Sequence, residues 1–421
     1  MKKIFAGLFC FLVFLCPLYS QPLTWDDARA LAQKNNPSLK ENRSRIESSR
    51  AGINQARSAF LPQLTGSGSY AKSNTATSLE SVATGSGTKD EYSFSLSAQQ
   101  SLFSGFGDKA NLDFSTVQVA LAEEEYREAE SQIFYEVKTA FISVLYAKKE
   151  IELLKQILAR KTENRKMIEL RYEGGRESRG TFMRSIAQEE EAKFEVKKAE
   201  RVYRLSLKDI YRLIGKEESV LEEIAGEFEM EEVESPANFF SLVLEHPTYR
   251  KNKLALKGAR AQLAKARSSF FPTVSLSGAG RKRGSDFPPE SDSWSVGATL
   301  SYPLFSGGKD YFNTAQFKWE EKRISSQLER IQRELEFNLE SSYNALLNER
   351  DNLEVRKQFL KAAQERAVVA RVQYGQGLVT YQDWDIIETD FTDSQKQTLQ
   401  SLQNAVLARA VWIKAQGGEN Y

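Results

Sequence analysis

The chain is written twice, and this repetition limits what it can fold into more than any other feature. Ala56-Arg57-Ser58-Ala59-Phe60-Leu61-Pro62 recurs as Ala266-Arg267-Ser268-Ser269-Phe270-Phe271-Pro272, an offset of 210. Asn36-Pro37 recurs as His246-Pro247 at the same offset. Leu102-Phe103-Ser104-Gly105 recurs as Leu304-Phe305-Ser306-Gly307, and Arg171-Tyr172-Glu173-Gly174-Gly175 as Gln373-Tyr374-Gly375-Gln376-Gly377, both at an offset of 202. The fall of eight between the two offsets marks a longer loop in the first copy, between Pro62 and Phe103. Four landmarks in one order indicate a duplicated structural unit. The 421 residues are therefore not three unrelated domains of about 150. We divide them into a leader (1–20), a first repeat (21–215), an acidic connector (216–235) and a second repeat (236–421). The connector carries nine glutamates between Glu217 and Glu234 and reads as solvated.

The leader has the order of a secretory signal peptide: Lys2 and Lys3, an apolar run from Ile4 to Cys16, then small Ser20. Cleavage is expected after Ser20. Phe9 and Leu15 precede the cysteines where a lipoprotein would carry small residues. Removal of the leader takes away both cysteines, Cys10 and Cys16, so the exported chain cannot rely on disulfides. No later segment approaches the roughly 18 consecutive apolar residues of a spanning helix, a test that says nothing about β-barrels.

Within each copy two stretches alternate with period two. In the first, Tyr92, Phe94, Leu96, Ala98 and Leu102 are interleaved with Ser93, Ser95, Ser97, Gln99 and Ser101. In the second, Trp294, Val296, Ala298, Leu300, Tyr302 and Leu304 alternate with Ser295, Gly297, Thr299 and Ser301. Such alternation places one set on each face of a strand. The regions after Pro62 and Pro272 behave similarly. We place strands at about 63–71, 91–103, 273–280 and 293–304. Their polar faces are hydroxyl and glycine, and aromatics gather near their ends. Soluble amphipathic hairpins and membrane strands would both look like this; export and duplication favour the membrane. Phe94, Leu96, Trp294, Val296, Leu300 and Tyr302 are then the lipid face. Four strands cannot close a pore, and open edges are not tolerated in lipid. Several chains would have to share one barrel, and three would supply twelve strands.

The remaining stretches are very long helices, expected at about 108–172, 178–214, 310–374 and 380–416. The first, at about 1.5 Å per residue, spans nearly 100 Å. Ile133, Val137, Ala140, Val144, Ala147, Ile151, Leu154 and Leu158 step by four and three, a heptad seam. Phe134, Phe141 and Leu145 form a second track, and Leu339, Leu346, Leu353 and Leu360 step by sevens in the second copy. Two seams suit a helix packed between two neighbours; a plain coiled-coil rod shares the periodicity. The glycines of each Tyr-x-x-Gly segment fit a helix-ending turn, so each copy ends in a long α-hairpin.

Composition argues against chemistry. Lys+Arg total 58 against 57 Asp+Glu, which disfavours a nucleic-acid binder. The single histidine, His246, leaves one candidate base for a catalytic triad, and its place before a proline reads as a turn residue like Asn36. No Cys/His metal site can be built and no cofactor motif is present. Gly66-Ser67-Gly68 and Gly278-Ala279-Gly280 lack the strand-then-helix context of a nucleotide loop. Arg281-Lys282-Arg283 reads as an outer loop.

With the Ala-Arg-Ser-x-Phe-x-Pro pair, the Leu-Phe-Ser-Gly pair and the tip Tyr374-x-x-Gly377-x-x-Thr380-x-x-Asp383, the chain resembles the TolC-like outer-membrane efflux proteins over almost its whole mature length. The resemblance implies a mainly α fold with a β-barrel contribution. Duplicated long α-hairpins would build a trimeric periplasmic α-barrel, with four strands per chain completing a 12-stranded outer-membrane barrel. It implies a passive exit duct of a tripartite efflux or type I secretion system, not an enzyme and without cofactor. The implied partners are two further copies (a homotrimer), a periplasmic adaptor (membrane fusion) protein, an inner-membrane pump or transporter, and outer-membrane lipid. It also implies an acidic gate at the tunnel entrance: Asp383 falls on the matching position, while neighbouring Asp385 occupies a place usually apolar, and both also fit solvated residues at the start of a helix. Ile386 stands where relatives often carry a second acid, and Val379 where some carry a latching arginine. The tip residues Gly174, Gly175, Arg176, Ser178, Gly375, Gly377 and Thr380 would form the turns and meet the adaptor. A periplasmic coiled-coil adaptor or structural protein is the competing reading.

Overall fold

The computed structural model describes residues 22–74, 88–216, 224–230 and 238–418; the leader 1–20 and part of the connector lie outside the described residues. Contacts divide the chain into two units. One comprises Met1–Asn35, Glu136–Glu231 and Glu349–Leu407, the other Asn36–Tyr135, Glu232–Asn348 and Ala408–Tyr421. Neither is a single sequence copy: each unit draws segments from both.

The second unit carries the sheet. Strands β1 (Gln63–Asn74), β2 (Thr88–Ser104), β3 (Thr273–Gly284) and β4 (Ser291–Ser301) pair antiparallel in the order β1-β2-β3-β4. Opposed residues share a face, so Gly66, Leu96, Gly280 and Trp294 form one row, and Leu64, Ala98, Gly278 and Val296 the next. That face is apolar and exposed along the strands; Trp294 is 82% exposed. The other face carries Thr65, Ser67, Ser95, Ser97, Ser277, Ser295 and Thr299, with the Ser67 and Ser95 hydroxyls 2.7 Å apart. Tyr70 and Tyr92 (5.0 Å) meet Phe287 at one end, while Phe103, Phe106 and Phe271 cluster at the other. Eleven residues separate Tyr92 from Phe103. At about 3.3 Å each and a tilt near 40°, this is roughly 28 Å, the height of a lipid-facing band.

Three sequence expectations need correction here. Register shifts between Ser101 and Phe103, so Phe103 joins the apolar face opposite Val274 and Leu102 is the bulged residue. β4 ends at Ser301, which leaves Tyr302 beyond the strand; Pro303 follows and has no N–H to donate. Arg281, Lys282 and Arg283 lie near the end of β3 rather than in a loop; Lys282 pairs with Asp292 and Arg283 with Glu91.

The helices flank the strands in sequence. α1 (Trp25–Asn35) and α2 (Pro37–Arg57) precede β1, and α5 (Phe239–Glu245) and α6 (Pro247–Arg267) precede β3. α3 (Gly107–Glu173), α4 (Arg179–Ile214), α7 (Lys309–Gln376) and α8 (Tyr381–Ala415) are the long ones, with ends within two residues of those expected. The heptad seam is buried at Ile133, Val137, Ala140, Val144, Ala147 and Leu154, and the second track at Phe134, Phe141 and Leu145. Leu339, Leu346 and Leu353 are buried likewise. Asn36 caps α2 and His246 caps α6, each followed by proline. The Asn36 Oδ1 accepts from Ser38 N (2.9 Å) and the His246 Nδ1 from Thr248 N (3.1 Å). The turn reading of His246 therefore holds, and burial lowers its pKa from the ordinary value.

Residues 224–230 of the connector are partly buried. Ile224 bridges to Leu23, Phe228 is buried beside Tyr146, and Gly226 lies so close to Phe141 that a Cβ would meet it at 3.0 Å. Two spaced apolar residues anchor this stretch to the first unit.

Candidate functional site

The hairpin tips of the first unit hold a polar network that joins one hairpin to the other. α3 ends at Glu173, and Gly175 just beyond it, with φ +67°, lets Arg176 N donate to Arg171 O (2.8 Å). Ser178 then caps α4 by accepting from Thr181 N (3.1 Å). α7 ends at Gln376 and is followed by Gly377, φ +79°, with Leu378 N donating to Gln373 O (2.9 Å). Gly174 and Gly375 do not take positive φ. Gly375 belongs to the last turn of α7 rather than to the turn between helices, a correction to its sequence assignment.

Thr380 and Asp383 form a reciprocal cap at the start of α8. Asp383 N donates to Thr380 Oγ1 (3.2 Å), and that hydroxyl donates to Asp383 Oδ2 (2.6 Å). Asp383 stays exposed. Asp385, two residues on, is only 7% exposed and reaches across to α4. It accepts from Gln188 Nε2 (2.9 Å) and pairs with Arg184 Nη2 (2.9 Å). Because the Arg184 side chain is 64% exposed, the pair is screened and ties the helices modestly.

A stronger clasp surrounds Tyr374. Its ring stacks on Trp384 at 4.4 Å, and the Arg171 guanidinium lies 4.5 Å over its other face. Arg171 Nη1 donates to Tyr374 O (2.8 Å), and Tyr374 Oη donates to Glu177 Oε1 (2.6 Å). Burial, and then the bond to Glu177, pushes the phenol well above its ordinary pKa, so it remains a donor throughout the physiological range. Tyr381 nearby is pushed up to about 12 by burial and by the charge of Asp385. Ile168, Ala370, Tyr374 and Trp384 form the core beneath, with Val379 packed against it. Val379 thus fills an apolar seat. Ile386 remains exposed. One helical turn further, Arg371 pairs with buried Glu388 (3.0 Å), and Arg160 donates to Gln395 (2.6 Å) while lying over Phe391.

The two hairpins are therefore clasped to each other by four side chains of the first (Arg171, Glu177, Arg184 and Gln188) and two of the second (Tyr374 and Asp385). Sequence reasoning singled out Asp385 but missed Arg171, Glu177, Arg184, Gln188 and the role of Tyr374. Tyr374 was visible as a repeat landmark; its partner Glu177 is 197 residues away, and nothing in the spacing joins them. Arg176, Ser178 and Thr380 are exposed at the ends of the hairpins. Among the described residues, no cluster of His, Cys, Asp or Glu could hold a metal ion.

A family profile described as "Outer membrane efflux protein" matches residues 28–216 and 241–418, one segment in each copy. Among curated proteins, the chain is 22% identical to the outer membrane efflux protein BepC of Brucella suis biovar 1 (strain 1330), over 81% of this chain and 74% of that one. It is 26% identical to the alkaline protease secretion protein AprF of Pseudomonas aeruginosa, over 75% of this chain and 68% of the relative. Among solved structures, CusC superposes with a TM-score of 0.85 at 18% identity, covering 94% of this chain and 92% of that chain. The Campylobacter jejuni CmeC outer membrane channel superposes with a TM-score of 0.82 at 17% identity, covering 94% and 85%. At these identities the structures show a shared fold.

Proposed function

The chain belongs to the outer membrane efflux protein family, and from that premise we propose how it works as an exit duct of the outer membrane. The observation that carries the reading is the sheet: four antiparallel strands with one exposed apolar face, one hydroxyl face and two open edges. In lipid such edges must be paired. Three copies close a barrel of twelve strands whose hydroxyl faces line a water-filled passage and whose apolar faces meet lipid. Phe94, Leu96, Trp294, Val296 and Leu300 form that outer surface, with Tyr302 at its rim. The long hairpins extend into the periplasm and continue the passage.

The duct moves solute without bond chemistry and needs no cofactor. An inner-membrane pump or transporter drives it through a periplasmic adaptor. Exposed Arg176, Ser178 and Thr380, presented on the turns set by Gly175 and Gly377, are the contact surface for that adaptor. The clasp between the hairpins is the closed state, and opening pulls Tyr374 from Glu177 and Asp385 from Arg184. Asp383, exposed beside the clasp and repeated about the axis, makes an acidic ring that favours cations. This reading displaces the coiled-coil adaptor alternative, which offers no reason for the apolar sheet face.

The test is fractionation followed by reconstitution. The protein is expected to sediment with outer membranes, to need detergent for release, and to give ion currents in planar bilayers. Release into the soluble periplasm without detergent would sink the proposal. Asp383→Ala is expected to weaken block of those currents by multivalent cations; unchanged block would remove the ring.

A further inference from the structure

Arg281, Lys282 and Arg283 lie at the end of the sheet away from the helices, beside the loop that joins β3 to β4. Alternation sends them to different faces. Lys282 lies opposite Phe94 and Asp292 and so shares the apolar face. Arg281 belongs to the row Ser67, Ser95, Arg281 and Ser293, and Arg283 to the row Ser69, Ser93, Arg283 and Ser291, both on the hydroxyl face. Arg281 stands three residues inward of Gly284, which lies opposite Tyr92. At the same tilt this is about 8 Å inside the aromatic row, within the sheet rather than in its loops.

The two faces balance charge differently. On the apolar face each base has an acid: Lys72 pairs with Asp90 (3.7 Å) and Lys282 with Asp292 (3.3 Å). On the hydroxyl face the described strand residues carry Lys89, Arg281 and Arg283 against a single acid, Glu91. Glu91 is held by Arg283. Arg281 is exposed, its row neighbours are serines, and it forms no ion pair among the described residues.

We infer that Arg281 forms an anion site on the wall of the passage, one guanidinium per chain, which takes the carboxylate, sulfate or phosphate groups of solutes leaving through it. A guanidinium presents planar, paired donors that match such oxyanions. The serine hydroxyls on either side of it can donate as well, and basic rings are a general means by which a pore favours anions. Its sign is opposite to that of the Asp383 ring, so the charge preference of the duct differs from one site to the other. Phosphate on outer-membrane lipid is a second source of the same chemistry, but lipid meets the apolar face, where Lys72 and Lys282 already have partners. This inference rests on the reading of the hydroxyl face as the wall of the passage and adds the class of solute that this wall selects.

Thiol labelling tests it. Cys10 and Cys16 lie in the leader, so an introduced cysteine is the only thiol of the exported chain. Ser293→Cys sits beside Arg281 in its row. The protein is reconstituted in phosphatidylcholine vesicles and labelled with two water-soluble methanethiosulfonates, one carrying a sulfonate and one a quaternary ammonium. A unit charge ~6 Å away in water moves the local concentrations of the two in opposite directions by about threefold each. Arg281→Ser should therefore lower the ratio of anionic to cationic labelling rates about tenfold. Arg281→Lys should keep the ratio, and so should Lys282→Ser, one residue away on the other face. Inorganic pyrophosphate at constant ionic strength should slow the anionic reagent unless Arg281 is replaced. A ratio that Arg281→Ser leaves unchanged, or that Lys282→Ser lowers equally, would overturn the site and leave the duct standing; so would pyrophosphate that acts equally without Arg281. An effect of Arg281 that disappears when lipopolysaccharide is added to the vesicles would assign the guanidinium to lipid phosphate instead. If Ser293→Cys and Ser295→Cys resist both reagents while Trp294→Cys reacts, the hydroxyl face is not the wall and both readings fall. Should Arg281→Ser not accumulate, Arg281→Gln decides by the same ratio.

Discussion

Replacing Tyr374 by phenylalanine isolates one bond of the clasp. The ring keeps its stack on Trp384 and its place under Arg171, and only the 2.6 Å bond to Glu177 is lost. Hydrogen bonds to charged groups contribute about 1.5–3 kcal/mol. Glu177 retains Arg171 at 3.7 Å, so the lower end applies, about 1.5 kcal/mol per chain. Three chains opening together lose about 4.5 kcal/mol of closed-state stability, which at ~1.4 kcal/mol per decade shifts the closed–open equilibrium about a thousandfold. If chains open singly, the shift is about tenfold for each. Planar-bilayer recordings of the purified protein read this as time spent in the high-conductance state. Tyr374→Phe should raise that fraction at least tenfold with an unchanged melting transition. Occupancy equal to the unsubstituted protein, with folding intact, would show that the clasp does not hold the closed state.

Two further outcomes follow from buried polar groups. His246→Ala should lower stability by about 1 kcal/mol through loss of the α6 cap, and His246→Asn, matching Asn36, should restore it; a denaturation series that separates neither variant from the parent would refute the capping role. Because burial lowers the pKa of His246 from 6.5, its contribution is full above that value and lost as pH falls through it, a loss absent from His246→Asn. Glu189 behaves as a lowered carboxylate: burial opposes its ionisation, but the hydrogen bond from Lys193 and the charges of Lys193 and Arg165 outweigh it. Its stabilisation is present above the ordinary value of 4.5 and fades as pH falls below it, so Glu189→Gln should flatten the acid limb of the melting profile; parallel limbs would exclude the cluster.

The parts legible in the sequence are those set by local physics. Period-two alternation located the strands because one face meets hydroxyls and the other does not. The long helices were bounded correctly because glycine turns end them and no proline interrupts them. Asn36 and His246 were legible as equivalents because a cap before a proline is a local arrangement. The bulge at Leu102 was hidden, since an apolar residue at the next even position imitates continued alternation. The anchored connector was hidden because nine glutamates outweigh Ile224 and Phe228 in any average. The clasp was illegible for another reason: Glu177 and Tyr374, or Arg184 and Asp385, are joined only by the packing of two hairpins nearly two hundred residues apart.

The pairing of β2 with β3 has a consequence for how the chain comes into being. Ser97 must wait for Ala279, and Ile168 of α3 cannot join Ala370, Tyr374 and Trp384 until the second copy has been made. A duplicated gene would suggest two halves that mature one after the other, yet here the first half emerges with its mates still unsynthesised. Contacts this distant in sequence form slowly and leave apolar strands unpaired meanwhile. The exported chain therefore crosses the periplasm as a dependent of whatever shields such strands, and its two halves, expressed as separate polypeptides, should find each other rather than fold alone.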